Sequence, residues 1–329
     1  MRRDMMPHFD LYQPDSVASA LELAGRLGED AWYLGGGQDS FDWLKNRTKR
    51  AGAVIELAGI AELKGIREQD GGLFIGAATT LTEITAHAMV RERFGLLAQA
   101  AARVASPQIR NAGTLGGNLC QDTRCWYYRA GVDCYRAGGI ACYADTPQGQ
   151  NREHAIFGAS RCVAVQPSDT ANALVALDAV FHLRGPGGER QVPASDFFVG
   201  PDVDIRRMTC LRQGEMLVGV AIPSHWAGAE FHFEKITDRQ TWDFALVSLS
   251  AALRVDGGRI TGARLVCGAV QCVPRRLLEV EQAVIGSPRD AATADRVAAL
   301  ASQGARPLNF NHFKIPLMEN LVRRAIRGA

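Results

Sequence analysis

The stretch Ser106-Pro107-Gln108-Ile109-Arg110-Asn111-Ala112-Gly113-Thr114-Leu115-Gly116-Gly117-Asn118 decides the fold of this 329-residue chain. Its glycines lack the Cβ atoms that keep ligands away from a backbone, so its N–H groups could converge on a phosphate. A second turn of this kind is Leu34-Gly35-Gly36-Gly37-Gln38-Asp39-Ser40, after the apolar run Trp32–Leu34. Neither turn matches G-x-G-x-x-G or the P-loop Gly-Lys-Ser/Thr, which disfavours a Rossmann fold and a nucleoside triphosphatase. Each could be a tight turn without a ligand, but together they predict a two-point cradle.

The composition is that of an ordinary globular protein with two domains. Hydrophobic residues make up 47% of the chain and charged residues 22%. The formal net charge of +2 leaves no basic surplus for a nucleic-acid partner. No apolar run approaches the roughly 18 residues of a membrane span, and the first residues do not form a signal peptide. We therefore expect a cytoplasmic protein, periplasmic only if it is exported together with a partner subunit.

The order of the predicted elements indicates an α+β chain. Short strands and helices follow one another without the regular alternation of a doubly wound sheet. We predict a first domain over residues 1–224 and a second over 229–329, with the boundary at the segment 224–229 (SHWAGA). The second domain is predicted to be a small antiparallel sheet from three strands, followed by helices at about 274–284, 290–303 and 313–327.

The cysteines are clustered. Eight are present, and five of them fall between residues 120 and 162: Cys120, Cys125, Cys134, Cys142 and Cys162. In a cytosolic chain, such clustering indicates metal or redox chemistry more often than disulfides. A structural zinc site or unpaired buried thiols are the alternatives, although only Cys120 and Cys125 come near a zinc knuckle. The isolated Cys210, Cys267 and Cys272 are expected to be small apolar core residues.

Several further segments follow the glycine turns in a characteristic order: Gln166-Pro167-Ser168-Asp169, Glu215-Met216-Leu217, Lys235-Ile236-Thr237-Asp238-Arg239 and Phe244-Ala245-Leu246-Val247. In this order, they resemble the FAD-binding medium subunit of the xanthine dehydrogenase and carbon monoxide dehydrogenase family of molybdenum hydroxylases. The resemblance covers essentially the whole chain. It implies a two-part FAD-binding domain (PCMH-like), followed by a domain of a small antiparallel sheet plus helices.

The resemblance also implies which residues hold FAD. The two turns would contact the pyrophosphate and ribityl chain, and three later residues would complete the site. The implied set is Tyr33, Leu34, Gly35, Gly36, Gly37, Gln38, Asp39, Ser40, Gly113, Thr114, Gly116, Gly117, Asn118, Asp169, Leu217 and Lys235. Many relatives have Thr and an aliphatic residue where this chain has Gln38 and Ser40. Asp169 could instead be a helix N-cap, and Lys235 a solvated strand residue.

The cysteine insertion, residues 119–162, resembles two subtypes of the family. The segment 118–125 (NLCQDTRC) is similar to the flavin subunit of 4-hydroxybenzoyl-CoA reductase. The segment 151–158 (NREHAIFG), with Cys162, is similar to the flavin subunit of bacterial aldehyde oxidoreductases. Both subtypes carry an extra [4Fe–4S] cluster here. The resemblance implies Cys125, Cys134, Cys142 and Cys162 as its ligands, with Cys120 and then His154 as alternatives for the fourth.

The resemblance finally implies an oxidoreductase subunit without catalytic residues of its own. Substrate chemistry on an aldehyde, an aromatic compound or an aryl-CoA would take place on a molybdopterin-binding large subunit. A small subunit with two [2Fe–2S] clusters would link that centre to FAD, and an external acceptor or donor would complete the chain of carriers. The alternative is a structural or assembly module that keeps the fold and a zinc ion and lacks flavin.

Overall fold

The computed structural model describes residues 6–328 and confirms the α+β class. Its strands are β1 (Asp10–Tyr12), β2 (Ala31–Leu34), β3 (Ala53–Glu56), β4 (Ile66–Gln69), β5 (Gly72–Gly76), β6 (Val180–Gly185), β7 (Gly188–Pro193), β8 (Met216–Ile222), β9 (Glu230–Ile236), β10 (Val247–Asp256), β11 (Arg259–Gly268) and β12 (Arg275–Arg276). Its helices are α1 (Val17–Leu27), α2 (Ser40–Asn46), α3 (Leu81–Ala86), α4 (Ala88–Arg93), α5 (Gly95–Ala102), α6 (Pro107–Ala112), α7 (Leu115–Leu119), α8 (Trp126–Arg129), α9 (Asp169–Ala176), α10 (Ala194–Phe197), α11 (Leu278–Val284), α12 (Ala291–Ala298) and α13 (Lys314–Arg327). None of these helices combines the length and hydropathy of a membrane-spanning helix.

The first part of the chain holds two sheets. A parallel sheet of order β1-β3-β2 packs against α1, which begins at a capping box formed by Ser16 and Ser19. An antiparallel sheet of order β4-β5-β8-β6-β7 packs against α5 and α9 around the fully buried Phe181 and Val220. Because β2 ends at Leu34, the first glycine turn leaves directly from the edge of the small sheet.

The segment from Thr80 to Val104 forms three helices rather than one. The first of them, α3, begins at a capping box that Thr80 and Glu83 form. His87 then leaves the helical conformation (φ −68°, ψ 125°), and Phe94 does so again (φ −136°, ψ 46°). These two breaks let α3, α4 and α5 turn around the buried Phe94 ring, which one straight helix could not enclose.

Two further segments precede α9. The glycine-rich segment 107–119 forms α6 and α7, because Ser106 and Thr114 each cap a helix N-terminus with their side chains. The segment 162–166 is mostly buried and joins no sheet. Its backbone bonds go to irregular neighbours: Val163 O accepts from Ala155 N, and Gln166 N donates to Gln271 O.

The C-terminal part is the predicted antiparallel sheet with helices. Its order is β12-β11-β10-β9, and α11, α12 and α13 cover one face. A single turn at Ser224–Trp226 joins β8 to β9, within the segment that we predict as the domain boundary. The predicted domains also include residues 1–5 and 329, which lie outside the described residues.

The cysteine insertion has little regular structure of its own, so side chains hold it in place. On one side it is tied to Asp39, in the first glycine turn. The Asp39 carboxylate accepts hydrogen bonds from Arg129 Nη2 (2.7 Å), Trp43 Nε1 (3.1 Å) and the backbone N–H of Asp122 (3.2 Å). Arg124 Nη2 lies 3.1 Å from the same carboxylate. This Asp39 cluster therefore connects the first turn to the beginning of the insertion.

The C-terminal part holds the end of the insertion. Asn311 Nδ2 donates to the carbonyl oxygens of His154 (3.0 Å) and Ala155 (3.3 Å). Lys314 Nζ donates to the carbonyl oxygens of Glu153 (3.1 Å) and Ala269 (2.6 Å). Burial lowers the pKa of Lys314 to about 7. The insertion is thus clamped between the glycine turn and the start of α13.

We expect Asp39→Asn to destabilise the fold by roughly 2 kcal/mol at pH 7, because it leaves two partly buried guanidinium groups without their carboxylate. Burial by itself raises the pKa of Asp39, but Arg124 and Arg129 more than reverse this, and the net pKa is lowered. This stabilisation is present above the unfolded-state pKa and is lost as the pH falls through the lower folded-state pKa. Urea unfolding of wild type and variant between pH 3 and 8 measures both effects.

The matched control is Asp42→Asn. The Asp42 side chain is 61% exposed and lies 3.8 Å from Arg124, so its removal should cost less than about 0.5 kcal/mol. Equal losses of unfolding free energy in the two variants would contradict the stabilising role of Asp39. A loss in Asp39→Asn that persists unchanged at the lowest pH would contradict it as well.

Candidate functional site

A long groove runs between the two glycine turns and the C-terminal sheet. Its empty volume is about 1610 Å³, open solvent included. Most of the residues predicted to hold FAD line it: Tyr33, Gly35, Gly36, Gly37, Gln38, Asp39, Ser40, Gly113, Thr114, Gly117, Asn118, Asp169 and Lys235. Residues far apart in the sequence therefore meet on one surface.

The first turn presents free backbone donors to the groove. The N–H groups of Gly36, Gly37 and Gln38 donate to no protein acceptor within residues 6–328. Gly37 has φ +75°, which favours glycine, and a Cβ on Gly36 would lie 1.8 Å from the carbonyl oxygen of Ala112. Gly36 thus lets the two turns touch, and successive free N–H groups make a concavity suited to an anion.

The second turn differs from the first in its backbone hydrogen bonds. Its N–H groups are mostly occupied: Gly113 N donates to Ile109 O, Gly116 N to Ala77 O, and Gly117 N to Thr114 Oγ1. It contributes Gly113 and Gly117 to the groove wall, where the lack of side chains allows a ligand to approach the backbone closely. The two turns therefore supply different things, donors from the first and close approach from the second.

Three predicted contacts do not line the groove. Leu34 is buried in a small cluster with Leu44 and Val54. Gly116 lies behind the groove, where a Cβ would come within 3.0 Å of Ala77. Leu217 is in the interior of the five-stranded sheet, paired with Leu183.

Several polar side chains of the first turn already have protein partners. Trp32 Nε1 donates to Ser40 Oγ (2.9 Å), and Gln38 Nε2 donates to the carbonyl oxygen of Gly36 (3.2 Å). The Tyr33 hydroxyl donates to Gly214 O (3.2 Å), and burial raises the pKa of Tyr33 to about 12. Asp39 turns its carboxylate toward the Asp39 cluster. The turn would therefore meet a ligand mainly with its backbone.

A buried ion pair lies at the junction of the two parts. Lys235 Nζ is 2.6 Å from Asp169 Oδ2 and also donates to Arg103 O (3.1 Å). Both side chains are buried, so Lys235 is not a solvated strand residue. The helix N-cap is Ser168, and Asp169 is the first residue of α9. Burial raises the pKa of Asp169, and Lys235 opposes that shift.

Several groove residues lie outside the set predicted from the sequence, among them Arg124, Trp242 and Phe244. Trp242 is 63% exposed and has φ +53°, an unusual backbone for a bulky residue. Its N–H donates to Ala105 O, which fixes the 239–243 loop beside the groove. The Arg124 guanidinium lies 4.6 Å from the centre of the Phe244 ring. A signal for this region is present in the sequence, since the segment Phe244-Ala245-Leu246-Val247 carries part of the family resemblance.

The predicted cluster cysteines line a second cavity, with an empty volume of about 290 Å³. Cys125, Cys134, Cys142 and Cys162 all contribute to it, together with His154. Cys120 does not; it is exposed at the groove. Among the described residues, no three His, Cys, Asp or Glu side chains converge closely enough to hold a single metal ion. We call this space the cysteine cavity.

His154 and Cys125 are neighbours in the wall of the cysteine cavity. His154 Nε2 is 3.3 Å from Cys125 Sγ, and its Nδ1 is buried without a partner within the described chain. Burial lowers the pKa of His154 to about 4 and raises the pKa of Cys125 to about 11. In the absence of a bound cation, this pair is therefore neutral at physiological pH.

A small cavity of about 500 Å³, solvent included, lies between the groove and the cysteine cavity. It shares Cys125 and His154 with the cysteine cavity, and Asp169 and Phe244 with the groove. This cavity therefore borders both sites. Among the isolated cysteines, Cys267 and Cys272 are buried as expected, whereas Cys210 is only half-buried.

Comparison with known proteins places this geometry in a family. Residues 7–225 match the family described as "FAD binding domain in molybdopterin dehydrogenase", and residues 232–329 match "CO dehydrogenase flavoprotein C-terminal domain". The chain is 33% identical over 270 residues to the aldehyde oxidoreductase FAD-binding subunit PaoB of Escherichia coli (strain K12), which covers 81% of this chain and 83% of that protein.

Two further comparisons agree. The carbon monoxide dehydrogenase medium chain of Hydrogenophaga pseudoflava is 28% identical over 328 residues, 98% of this chain and 97% of that one. A solved structure of carbon monoxide dehydrogenase from the same organism superposes with a TM-score of 0.79, covering 99% of this chain and 98% of the other at 28% identity. These relatives are subunits of oxidoreductases. The chain belongs to the FAD-binding medium subunits of the xanthine dehydrogenase and carbon monoxide dehydrogenase family of molybdenum hydroxylases.

Proposed function

We propose that this chain is the electron-transfer subunit of a heteromeric molybdenum hydroxylase, with FAD in the groove and a [4Fe–4S] cluster in the cysteine cavity. One observation carries the proposal: Cys125, Cys134, Cys142 and Cys162 line one cavity, and a further cavity borders both it and the groove. Bound FAD would supply the exchange of electrons singly or in pairs. The chain's own residues hold the carriers in place, close together and shielded from water.

The groove fits FAD by the chemistry of its surface. The free N–H groups of Gly36, Gly37 and Gln38 would receive the pyrophosphate, and Gly113 and Gly117 would allow its close approach. The buried Lys235–Asp169 pair adds a cation and its counter-charge where the two parts of the chain meet. Leu34, Gly116 and Leu217 would support this site from behind. We propose that the other residues predicted to hold FAD contact it directly.

The cysteine cavity fits a cluster better than a zinc ion. Four thiolates on one zinc ion each lie about 2.3 Å from it and so crowd together. Thiolates on a cubane bind separate iron atoms and stand farther apart. Cys125, Cys134, Cys142 and Cys162 line one cavity, which supplies the four thiolates that a [4Fe–4S] cluster requires. Cys162 lines the cavity and Cys120 does not, which supports Cys162 as the fourth ligand over Cys120.

Substrate chemistry is proposed for a partner chain. The described site residues bind and position carriers, and the relatives' names describe medium chains or FAD-binding subunits. We propose a large molybdopterin-binding subunit and a small subunit with two [2Fe–2S] clusters as partners, and an aldehyde, aromatic or aryl-CoA substrate. The similarity to the PaoB subunit favours the aldehyde. The segment 224–229 is proposed as the domain boundary, which the limits of the two family matches support.

We expect Gly117→Val to lower the FAD content of the purified protein several-fold while the fold survives. Gly117 lines the groove within α7, and the nearest atom to an added Cβ there is the Thr114 side chain at 3.0 Å. Gly36→Ala should lower it as well, because its Cβ would push the two turns apart. Flavin absorbance against protein concentration measures the occupancy.

Gly25→Ala, in α1, is the matched control, since nothing lies within 4 Å of its Cβ. It should keep the wild-type flavin ratio, and circular dichroism should show the fold intact in all three variants. Stoichiometric FAD in both Gly36→Ala and Gly117→Val would refute the assignment of the groove.

We expect Cys162→Ser to lose iron and the broad visible absorbance, or to yield a three-iron form, because a hydroxyl is a poor iron ligand. Cys120→Ser, outside the cysteine cavity, should keep wild-type iron. Metal analysis and EPR spectroscopy of anaerobically purified proteins measure this. Zinc in place of iron in the wild type would favour the structural module, and an intact [4Fe–4S] signal in Cys162→Ser would transfer the ligand role to His154 or Cys120.

We expect the tagged chain, purified from its native cells, to bring with it a molybdopterin-containing large chain and a small iron–sulfur chain. A permanent complex of this kind should bury on the order of 1,000 Å² or more per contact. Mass spectrometry of the complex and molybdenum analysis test this. Full-rate aldehyde oxidation by the isolated chain would contradict the proposed division of labour.

A further inference from the structure

Arg136 is a buried guanidinium in the wall of the cysteine cavity. It follows Cys134 by two residues, in the single turn Tyr135–Ala137, and is 3% exposed. It lines the cavity together with Cys125, Cys134, Cys142 and Cys162. Arginine is almost never fully buried unless a partner compensates its charge, so the partners of Arg136 indicate what the cavity is built to hold.

The protein partners of Arg136 are long or weak. Nη1 is 3.5 Å from the carboxylate of Asp122 and 3.4 Å from Arg206 O. Nη2 reaches only Cys272 Sγ, at 3.6 Å, and Nε is buried with no partner within the described chain. Asp122 is itself engaged by Lys49 Nζ at 2.6 Å and by the N–H of Thr123 at 2.7 Å. Its charge is therefore shared rather than dedicated to Arg136.

Arg129, in the same insertion, is a guanidinium with short hydrogen bonds and serves as a comparison for Arg136. Its Nη2 is 2.7 Å from Asp39 Oδ1 and its Nε is 2.9 Å from Thr123 O. It also stacks 3.6 Å from the centre of the Trp43 ring. Arg136 lacks contacts of this quality, and a buried cation with poor acceptors is costly unless an anion lies beside it. Cys272 Sγ lies 3.6 Å from the guanidinium, and Cys162 lines the same cavity as Arg136.

A positive charge at this position has a definite redox consequence. A centre ligated by four thiolates carries net negative charge, and adding an electron increases it. A fixed cation and N–H donors beside the sulfurs favour the more negative state, most strongly where water is excluded. We propose that Arg136 is a positioning residue that raises the reduction potential of the iron–sulfur cluster in the cysteine cavity, an inference that rests on the proposed function.

The test is an anaerobic redox titration of the full complex, followed by the EPR signal of the reduced cluster. Arg136→Gln removes the charge and keeps polar atoms. We expect roughly a tenfold fall in the equilibrium constant for cluster reduction, which is about 59 mV for one electron. Arg136→Lys keeps the charge but loses the planar fork, so its midpoint should fall between those of wild type and Arg136→Gln.

Arg161→Gln is the matched control. Arg161 precedes Cys162 and is exposed, so water screens its charge and its removal should leave the midpoint near the wild-type value. The FAD midpoint should be the same in all four proteins.

The outcomes separate this inference from the proposed function. Absence of iron from the wild type refutes the cluster itself. Wild-type iron in Arg136→Gln with an unchanged midpoint, or an equal fall in Arg161→Gln, overturns the role of Arg136. If Arg136→Gln does not fold, Arg136→Lys decides: a midpoint at or above that of wild type overturns the inference, and a lower one supports it.

Discussion

The arrangement of the two sites depends on the ion pairs and hydrogen bonds of the Asp39 carboxylate. This carboxylate lies in the turn that presents free N–H groups to the groove, and its partners Arg124 and Arg129 belong to the cysteine insertion. The backbone N–H of Asp122 donates to the same carboxylate. One partly buried anion thereby orders a flexible glycine turn and a long irregular loop together. A displacement of the insertion along the turn would separate Arg124 and Arg129 from the Asp39 carboxylate and leave partly buried charges unpaired, which is costly.

The insertion needs such ties because it has almost no secondary structure to hold it. Its other end is fixed by Asn311 and Lys314, which donate to backbone oxygens of Glu153, His154 and Ala155. These bonds satisfy carbonyl groups that no sheet or helix would satisfy, which is a condition for burying a loop. The insertion is therefore fastened to both parts of the chain, to the first glycine turn at one end and to the start of α13 at the other.

The two glycine turns show why similar sequences need not have the same role. Both are rich in glycine and both line the groove. In the second turn, Thr114 and the carbonyl oxygens of Ala77 and Ile109 take up the N–H groups, because the segment folds into α7. In the first turn the N–H groups stay free. An anionic ligand would therefore be bound by the first turn and fitted by the second.

The sequence by itself determined the α+β class, the antiparallel sheet of the second part, the two glycine turns and the clustering of the cysteines. Each of these depends on local signals: alternation of apolar residues, glycine content and spacing along the chain. Only the tertiary structure decided that Cys162 and not Cys120 lines the cysteine cavity, that Asp39 pairs with Arg124 and Arg129 of the insertion, and that Trp242 borders the groove. Those facts follow from contacts between residues about 40 to 130 positions apart, which no local pattern encodes. The role proposed for the buried Arg136 also depends on the tertiary structure, because only the fold brings Arg136 and the four cysteines to one cavity.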